Sequence, residues 1–111
     1  MESQRQQKIS KLIQKDLGEI FQLEGRNYGG VLITVTKVKV TKDLGLARVY
    51  LSLFPLTNKE DFFEKIKLRS KEFRHQLAMK VKNQLRSVPA LEFFLDDSLD
   101  YIENIDNLLK D

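Results

Sequence analysis

The residue types that most often perform catalysis or bind metals are scarce in this sequence of 111 residues. His75 is the single histidine, and the chain contains no cysteine. A zinc site needs several histidine or cysteine ligands, and covalent catalysis needs a nucleophile beside a base and an orienting group. We therefore expect no metal, no cofactor and no enzymatic activity, and we interpret His75 as a surface residue.

Three aspartates near the C-terminus, Asp96, Asp97 and Asp100, are the remaining candidates for a metal site. They do not follow the spacing of an EF-hand calcium loop, and no glycine stands where that loop requires one. Aspartates at the start of a helix accept hydrogen bonds from free backbone N–H groups and interact favourably with the helix dipole. We expect them to cap a C-terminal helix.

Basic and acidic side chains are sorted along the chain. Residues 65–86 carry eight Lys or Arg against one Glu, whereas residues 90–111 carry seven acidic side chains against one Lys. The whole chain has a net charge of only +3, so this sorting is local. A concentrated basic segment is typical of a surface that binds an anionic polymer, although a Lys-rich helix face also serves solubility.

The basic segment predicts a nucleic-acid interface. On a helical wheel one stripe contains Lys71, His75, Lys82 and Arg86, opposite an apolar stripe. Arg69 and Lys71 lie where the apolar stripe changes phase, and a helix that begins there offers N–H groups to a phosphate. The predicted contact residues are Arg48, Arg69, Ser70, Lys71, Arg74, His75, Lys82 and Arg86.

The first half of the chain predicts a helix followed by a β-hairpin. Apolar residues at spacings of three and four predict an amphipathic helix over residues 3–23, with Ser3 as its cap and Gly25 just beyond its end. Residues 31–41 predict a β-branched strand, and the break in its alternation predicts a bulge near Lys37.

A polar turn at residues 41–45 leads into the second strand, residues 46–54, which alternates cleanly. Its residues Ala47, Val49, Leu51 and Leu53 are expected on the core side. Arg48 and Tyr50 are expected on the opposite side, where they are candidates for contact with RNA.

The second half predicts two helices, a strand and a final helix. The first helix starts at Thr57 or Asn58, and the next runs from Phe73 to Leu85 after a kink at residues 69–71. Residues 90–95 predict a strand, in which Phe93 and Phe94 are expected on different sides of the sheet. Apolar spacing after Asp97 predicts the C-terminal helix.

The predicted order is α-β-β-α-kink-α-β with an extra C-terminal helix. Helices on one face of a three-stranded sheet make a two-layer α+β domain, and this order matches the type II KH fold, a common RNA-binding architecture. We expect residues 1–111 to form a single domain. No apolar run approaches the roughly 20 residues of a membrane span, and the N-terminus has no signal-like core, so we expect a cytoplasmic protein without membrane contact.

Two stretches resemble the signatures of the ribosome-binding factor A family. Residues 40–52 (VTKDLGLARVYLS) resemble its hairpin signature, a polar turn with Asp-Leu followed by Ala-x-Val-Tyr-x-Ser. Residues 85–98 (LRSVPALEFFLDDS) resemble its second signature, Leu-Arg-x-Val-Pro-x-Leu-x-Phe followed by Asp and Ser. The Tyr-Gly-Gly sequence at residues 28–30 also fits, so the resemblance covers nearly the whole chain in the right order.

The resemblance implies a factor that binds the free small (30S) ribosomal subunit and helps to mature 16S ribosomal RNA, including its 5′ end. It also implies a link to growth in the cold, assembly GTPases as candidate partners, no cofactor and a monomer. The family commonly has an Ala-x-Gly kink where other KH domains have a Gly-x-x-Gly loop. This chain has residues 69–71 (RSK) there and no Gly-x-x-Gly anywhere, so we expect phosphate contacts by side chains.

Two alternatives stay open at the level of sequence. The acidic C-terminal helix suggests an adaptor that docks on a basic surface of a ribosomal protein, or on the basic helix of another copy. A small enzyme is the second alternative, and no nucleophile, metal cluster or phosphate loop in the sequence favours it.

Overall fold

The computed structural model describes residues 2–54 and 58–96, and the structural statements below concern those residues. They form three helices and three strands in the predicted order, which confirms the α+β class. The elements are α1 (Gln4–Arg26), β1 (Leu32–Val40), β2 (Leu46–Phe54), α2 (Lys59–Leu68), α3 (Ser70–Val81) and β3 (Ala90–Leu95). The predicted C-terminal helix lies outside the described residues.

The three strands form one sheet with β2 at its centre. β2 pairs antiparallel with β1 and parallel with β3. Parallel neighbours cannot be joined by a tight turn, so the chain needs a crossover between β2 and β3. Helices α2 and α3 form that crossover, and they lie with α1 on one face of the sheet.

The pairing of β1 with β2 contains the predicted bulge. Val35 and Lys37 pair with consecutive residues of β2, so Thr36 is the extra residue. The side-chain amide of Gln14 in α1 donates to the carbonyl oxygens of Val35 and Thr36, at 3.2 and 3.4 Å. These bonds satisfy the carbonyl groups at the bulge. The extra residue also explains why the buried residues of β1 have odd numbers before the bulge and even numbers after it.

The hydrophobic core fills the space between the sheet and the helices. The four residues of β2 predicted to face the core, Ala47, Val49, Leu51 and Leu53, are all buried. Phe21 of α1 and Phe73 of α3 have ring centroids 4.7 Å apart, and both rings contact Phe93 of β3. Phe94 lies on the other side of the sheet, which confirms the predicted split of the two phenylalanines.

Helix α1 begins where the sequence predicts and ends later. The Ser3 side chain accepts from the backbone N–H of Gln6, and the Gln6 side chain accepts from the backbone N–H of Ser3, which forms a capping box. The expectation that the helix stops before Gly25 was wrong, because the helix continues to Arg26. Gly25 is buried, and a side chain there would collide with the carbonyl oxygen of Val31. Glycine at position 25 therefore allows the backbone of α1 to lie close to the backbone at Val31.

The predicted kink between α2 and α3 is confirmed at Arg69, the one residue between the two helices. The Arg69 guanidinium donates to the carboxylates of Glu24 in α1 and Glu72 in α3, and to the hydroxyl of Tyr28. It also lies over the ring of Phe73, 4.7 Å from the centroid. Arg69 therefore joins the kink to the end of α1.

Helix α3 ends at Val81, so the prediction of a helix extending to Leu85 was wrong. The backbone N–H groups of Gln84 and Leu85 both donate to the carbonyl oxygen of Val81, which forms a turn in place of further helix. Val88 and Pro89 are buried immediately before β3. The chain must reverse early because a longer helix would carry it away from the position where β3 starts.

Gly25 and Gly18 provide a matched pair of tests within α1. Gly25→Ala is expected to destabilise the protein by about 1–3 kcal/mol, because the backbone has to move to accommodate the methyl group. At Gly18 the added methyl group meets no atom within 4 Å, so Gly18→Ala is expected to stabilise by about 0.5–1 kcal/mol. Urea unfolding measures both values, and equal effects would contradict the role assigned to Gly25.

Arg69→Met removes the guanidinium and keeps an apolar stem. It is expected to destabilise the protein by about 1–3 kcal/mol, because the Glu24 side chain, only 12% exposed, loses its charged partner. Lys67→Met is the control, since the ion pair of Lys67 with Glu64 is largely exposed and its loss should change stability by less than about 0.5 kcal/mol. A thermal unfolding series that ranks the two variants in the opposite order would refute this assignment.

Candidate nucleic-acid interface

Helix α3 and the returning chain after it form the walls of a groove with a volume of about 570 Å³. The residues that line it are Lys71, Arg74, His75, Ala78, Lys82, Leu85, Arg86, Ser87 and Val88. Five of these nine are Lys, Arg or His, and none is acidic. We call this surface the basic groove. A concave surface lined by one sign of charge raises the local concentration of anions.

Arg74 holds the two walls of the basic groove together. Its Nε and Nη2 atoms donate to the carbonyl oxygen of Val88 at 3.2 and 2.7 Å, and Nε also donates to that of Pro89 at 3.2 Å. Because both acceptors are neutral, these bonds fix the side chain and leave its positive charge at the groove. Arg74 therefore shapes the groove and contributes to its charge.

The structure brings together five of the eight predicted contact residues. These are Lys71, Arg74, His75, Lys82 and Arg86. Lys71, Arg74 and His75 come from α3, whereas Lys82 and Arg86 lie beyond the end of the helix. The predicted helical stripe therefore ends with the helix, because Lys82 directly follows Val81 and Arg86 belongs to the returning chain that forms the other wall.

The other three predicted residues lie elsewhere. Arg69 is held by carboxylates, and its hydrogen bonds to Glu72 and Glu24 raise the pKa of its guanidinium. Ser70 lines a different depression, between α2 and β3. Arg48 is on the far side of the sheet, 3.9 Å from the carboxylate of Glu92.

Four lining residues were not among the predicted contacts, namely Ala78, Leu85, Ser87 and Val88. Leu85, Ser87 and Val88 belong to the second family signature, at residues 85–98. That signature could have indicated that these residues belong to the site, because the carbonyl groups of its Val-Pro step accept the hydrogen bonds of Arg74. Small and apolar side chains supply the floor of the groove between its charged groups.

Within residues 2–54 and 58–96, no group of three or more His, Cys, Asp or Glu side chains is placed to bind a metal ion. Of the three C-terminal aspartates, Asp97 and Asp100 lie outside the described residues. Asp96 accepts a hydrogen bond from the Thr36 hydroxyl at 2.6 Å. No helix in the described part of the chain combines the length and the apolar character of a membrane span.

Several known proteins are similar to this chain over most of its length. Ribosome-binding factor A of Flavobacterium psychrophilum is 52% identical in an alignment of 111 positions that covers 98% of this chain and 85% of the relative. Ribosome-binding factor A of Cytophaga hutchinsonii is 39% identical over 111 residues, which cover 99% of this chain and 84% of the relative.

Solved structures share the fold. The crystal structure of ribosome-binding factor A from Thermus thermophilus has a TM-score of 0.65 at 25% identity, covering 81% of this chain and 94% of that one. A Thermus thermophilus homology model, fitted into a cryo-EM map of a complex between the 30S subunit and ribosome-binding factor A, has a TM-score of 0.64 at 21% identity. It covers 79% of this chain and 91% of that one.

The sequence pattern of one family spans almost the entire chain. The model of the family described as Ribosome-binding factor A matches residues 5–109, which include both signatures and all residues of the basic groove. With this match, and with relatives that are up to 52% identical over nearly the full length, the chain belongs to the ribosome-binding factor A family.

Proposed function

We propose that this protein is a ribosome biogenesis factor that binds the free 30S subunit and contacts 16S ribosomal RNA through the basic groove. The observation that carries the proposal is the composition of the groove, whose titratable residues are all Lys, Arg or His. Membership of the ribosome-binding factor A family supplies the ribosomal target. The Thermus thermophilus homologue fitted into the map of a 30S complex supports the same target.

The groove suits recognition of an RNA backbone. Lys71, Lys82 and Arg86 are exposed, and their flexible side chains can follow phosphates on either wall. Arg74 presents charge from a fixed position, because its hydrogen bonds to Val88 hold it. Contacts of this kind read the shape of the backbone and carry little information about the base sequence.

This mode of binding differs from that of a KH domain with a glycine loop. Glycines allow the RNA backbone to approach the protein backbone closely, whereas the kink in this chain is occupied by Arg69, which is held by Glu24 and Glu72. We therefore place the principal phosphate contacts along the groove beyond the kink. Arg48 and Ser70 are assigned secondary roles, because both lie outside the groove.

The proposed role requires binding and no catalysis. A protein that holds an immature segment of 16S RNA can prevent wrong pairings while other regions fold, and so assist late maturation, including processing of the 5′ end. The protein would act as a monomer in the cytoplasm, where subunits are assembled. Because the described part of the chain supplies no nucleotide-binding loop, timed release would fall to a partner such as an assembly GTPase.

Co-sedimentation with 30S subunits and titration of a 16S RNA fragment test the proposal. If the groove neutralises four phosphates, the binding constant should fall roughly 100-fold between about 50 and about 200 mM salt, as counterion release requires. Absence of the protein from the 30S fraction at low salt would overturn the ribosomal target. A response that hardly changes with salt would overturn the electrostatic mechanism while leaving the target intact.

A pair of charge-removing variants tests the groove itself. Lys82→Gln should weaken RNA binding several-fold and make the salt dependence shallower by about one unit of slope, because one phosphate contact is lost. Lys65→Gln is the matched control, since Lys65 belongs to the same basic stretch of sequence and does not line the groove. Equal losses in both variants would show that binding follows net charge, and the groove would not be the binding surface.

A further inference from the structure

The face of the sheet that points away from the helices has its own pattern of side chains, and we call it the outer face. The strand register places on it Leu32, Thr34, Lys37, Lys39, Arg48, Tyr50, Ser52, Phe54, Glu92 and Phe94. Apolar residues lie at one end, two aromatic rings lie at the centre, and basic residues lie at the other end. The outer face is not part of the basic groove.

The apolar end of the outer face is unusually exposed. Leu32 and Phe54 are directly paired across β1 and β2, and they are 56% and 45% exposed. Further along β2, beyond Ser52, Tyr50 stacks on Phe94 with ring centroids 5.2 Å apart. Single exposed apolar residues are common, but an exposed apolar pair and a stacked aromatic pair on the same sheet face, separated only by Thr34 and Ser52, mark a surface that binds something.

The other end of the outer face is basic. The ammonium group of Lys37 lies 5.7 Å from the centroid of the Tyr50 ring. Lys39 and Arg48 are directly paired across the strands, and Glu92 is the only acidic side chain that the described strands place at this end. A ligand that fits this face must therefore be apolar along one side and carry negative charge.

The chain leaves the sheet beside this face. Asp96 follows β3 and donates its backbone N–H to the carbonyl oxygen of Leu51, at 2.7 Å. Leu95 pairs with the buried Leu51, so the alternation of the strand directs the Asp96 side chain to the outer face. There the Asp96 carboxylate accepts from the hydroxyl of Thr36 at the bulge, at 2.6 Å. The described chain therefore leaves the sheet on the side of the outer face.

Residues 97–111 have the composition that the outer face requires. Four apolar residues recur at spacings of three and four, namely Leu99, Ile102, Ile105 and Leu109. The segment also has five acidic side chains against one Lys. Fifteen residues in helical form would span about 22 Å, which is shorter than the roughly 30 Å of a nine-residue strand.

We propose that residues 97–111 pack against the outer face of the same molecule. The apolar stripe covers Leu32, Phe54 and the stacked rings, and the acidic side chains lie beside Lys37, Lys39 and Arg48. A nucleic acid fits less well, because its phosphates gain nothing from the apolar end. The basic groove is a poorer location for the segment, since its wall at Val88 lies beyond the opposite end of β3, more than about 20 Å from Asp96.

The test uses single cysteine probes in the full chain, which has no cysteine of its own. Leu32→Cys reports on the outer face, and Phe54→Cys is a second probe of the same surface. Met79→Cys is the matched control, because Met79 is also 56% exposed and lies on α3, on the other side of the sheet. Each probe is reacted with a maleimide, with and without the disrupting pair Ile102→Asp and Ile105→Asp.

The disrupting pair should accelerate labelling of Leu32→Cys and Phe54→Cys roughly tenfold, because a tethered segment acts at an effective concentration in the millimolar range. Labelling of Met79→Cys should not change. Unchanged rates at both outer-face probes would overturn the proposal. Circular dichroism of each variant confirms that differences in rate do not arise from unfolding.

Three other results would also overturn the proposal, because they would show a different occupant on the outer face or a different location for the segment. Protection of Leu32→Cys that rises with protein concentration would identify a second copy as the cover. Protection that arises only when a 16S RNA fragment is added would identify RNA. If the disrupting pair accelerates labelling of a Lys82→Cys probe and leaves the outer-face probes unaffected, the segment lies in the basic groove. None of these three results requires the protein to bind 30S subunits.

Discussion

The parallel pairing of β3 with β2 is the constraint on which the rest of this structure depends. A chain that leaves β2 must return along the whole sheet before it can pair again, and α2 and α3 make that return on one face. The return has to end at Ala90, so α3 stops at Val81 and the chain reverses through buried Val88 and Pro89. The basic groove is formed by this reversal, because it places the returning chain alongside α3, where Arg74 donates to the carbonyl oxygen of Val88.

Three arginines show how tertiary contacts divide side chains of the same type among different roles. Arg69 lies between two carboxylates and joins the kink to α1, so its charge is largely matched within the protein. Arg74 donates to backbone carbonyl groups and keeps its charge at the groove. Arg48 faces solvent on the outer face beside Glu92. An arginine that binds carbonyl oxygens supports both the fold and the recognition of anions, since the acceptors are neutral.

The two faces of the sheet perform different physical tasks. The inner face buries residues such as Val49 and Leu51 against the helices and supplies most of the apolar burial that stabilises the fold. The outer face has an apolar strip and a basic end beside the point where the chain leaves β3. We propose that residues 97–111 cover this outer face.

The sequence by itself determined the order of the elements, the bulge near Lys37, the kink at residues 69–71 and the core side of β2, because these features depend on local periodicity and on breaks in it. It also determined the family, because each of the two signatures is an uninterrupted stretch of sequence. Only the tertiary structure decided that α1 passes through Gly25 and that α3 ends at Val81, since both depend on where a distant part of the chain must lie. Likewise, only the fold separated Arg69 from the basic groove. The carboxylate of Glu24 that binds Arg69 lies 45 residues earlier in the chain, and no local pattern reports a contact at that separation.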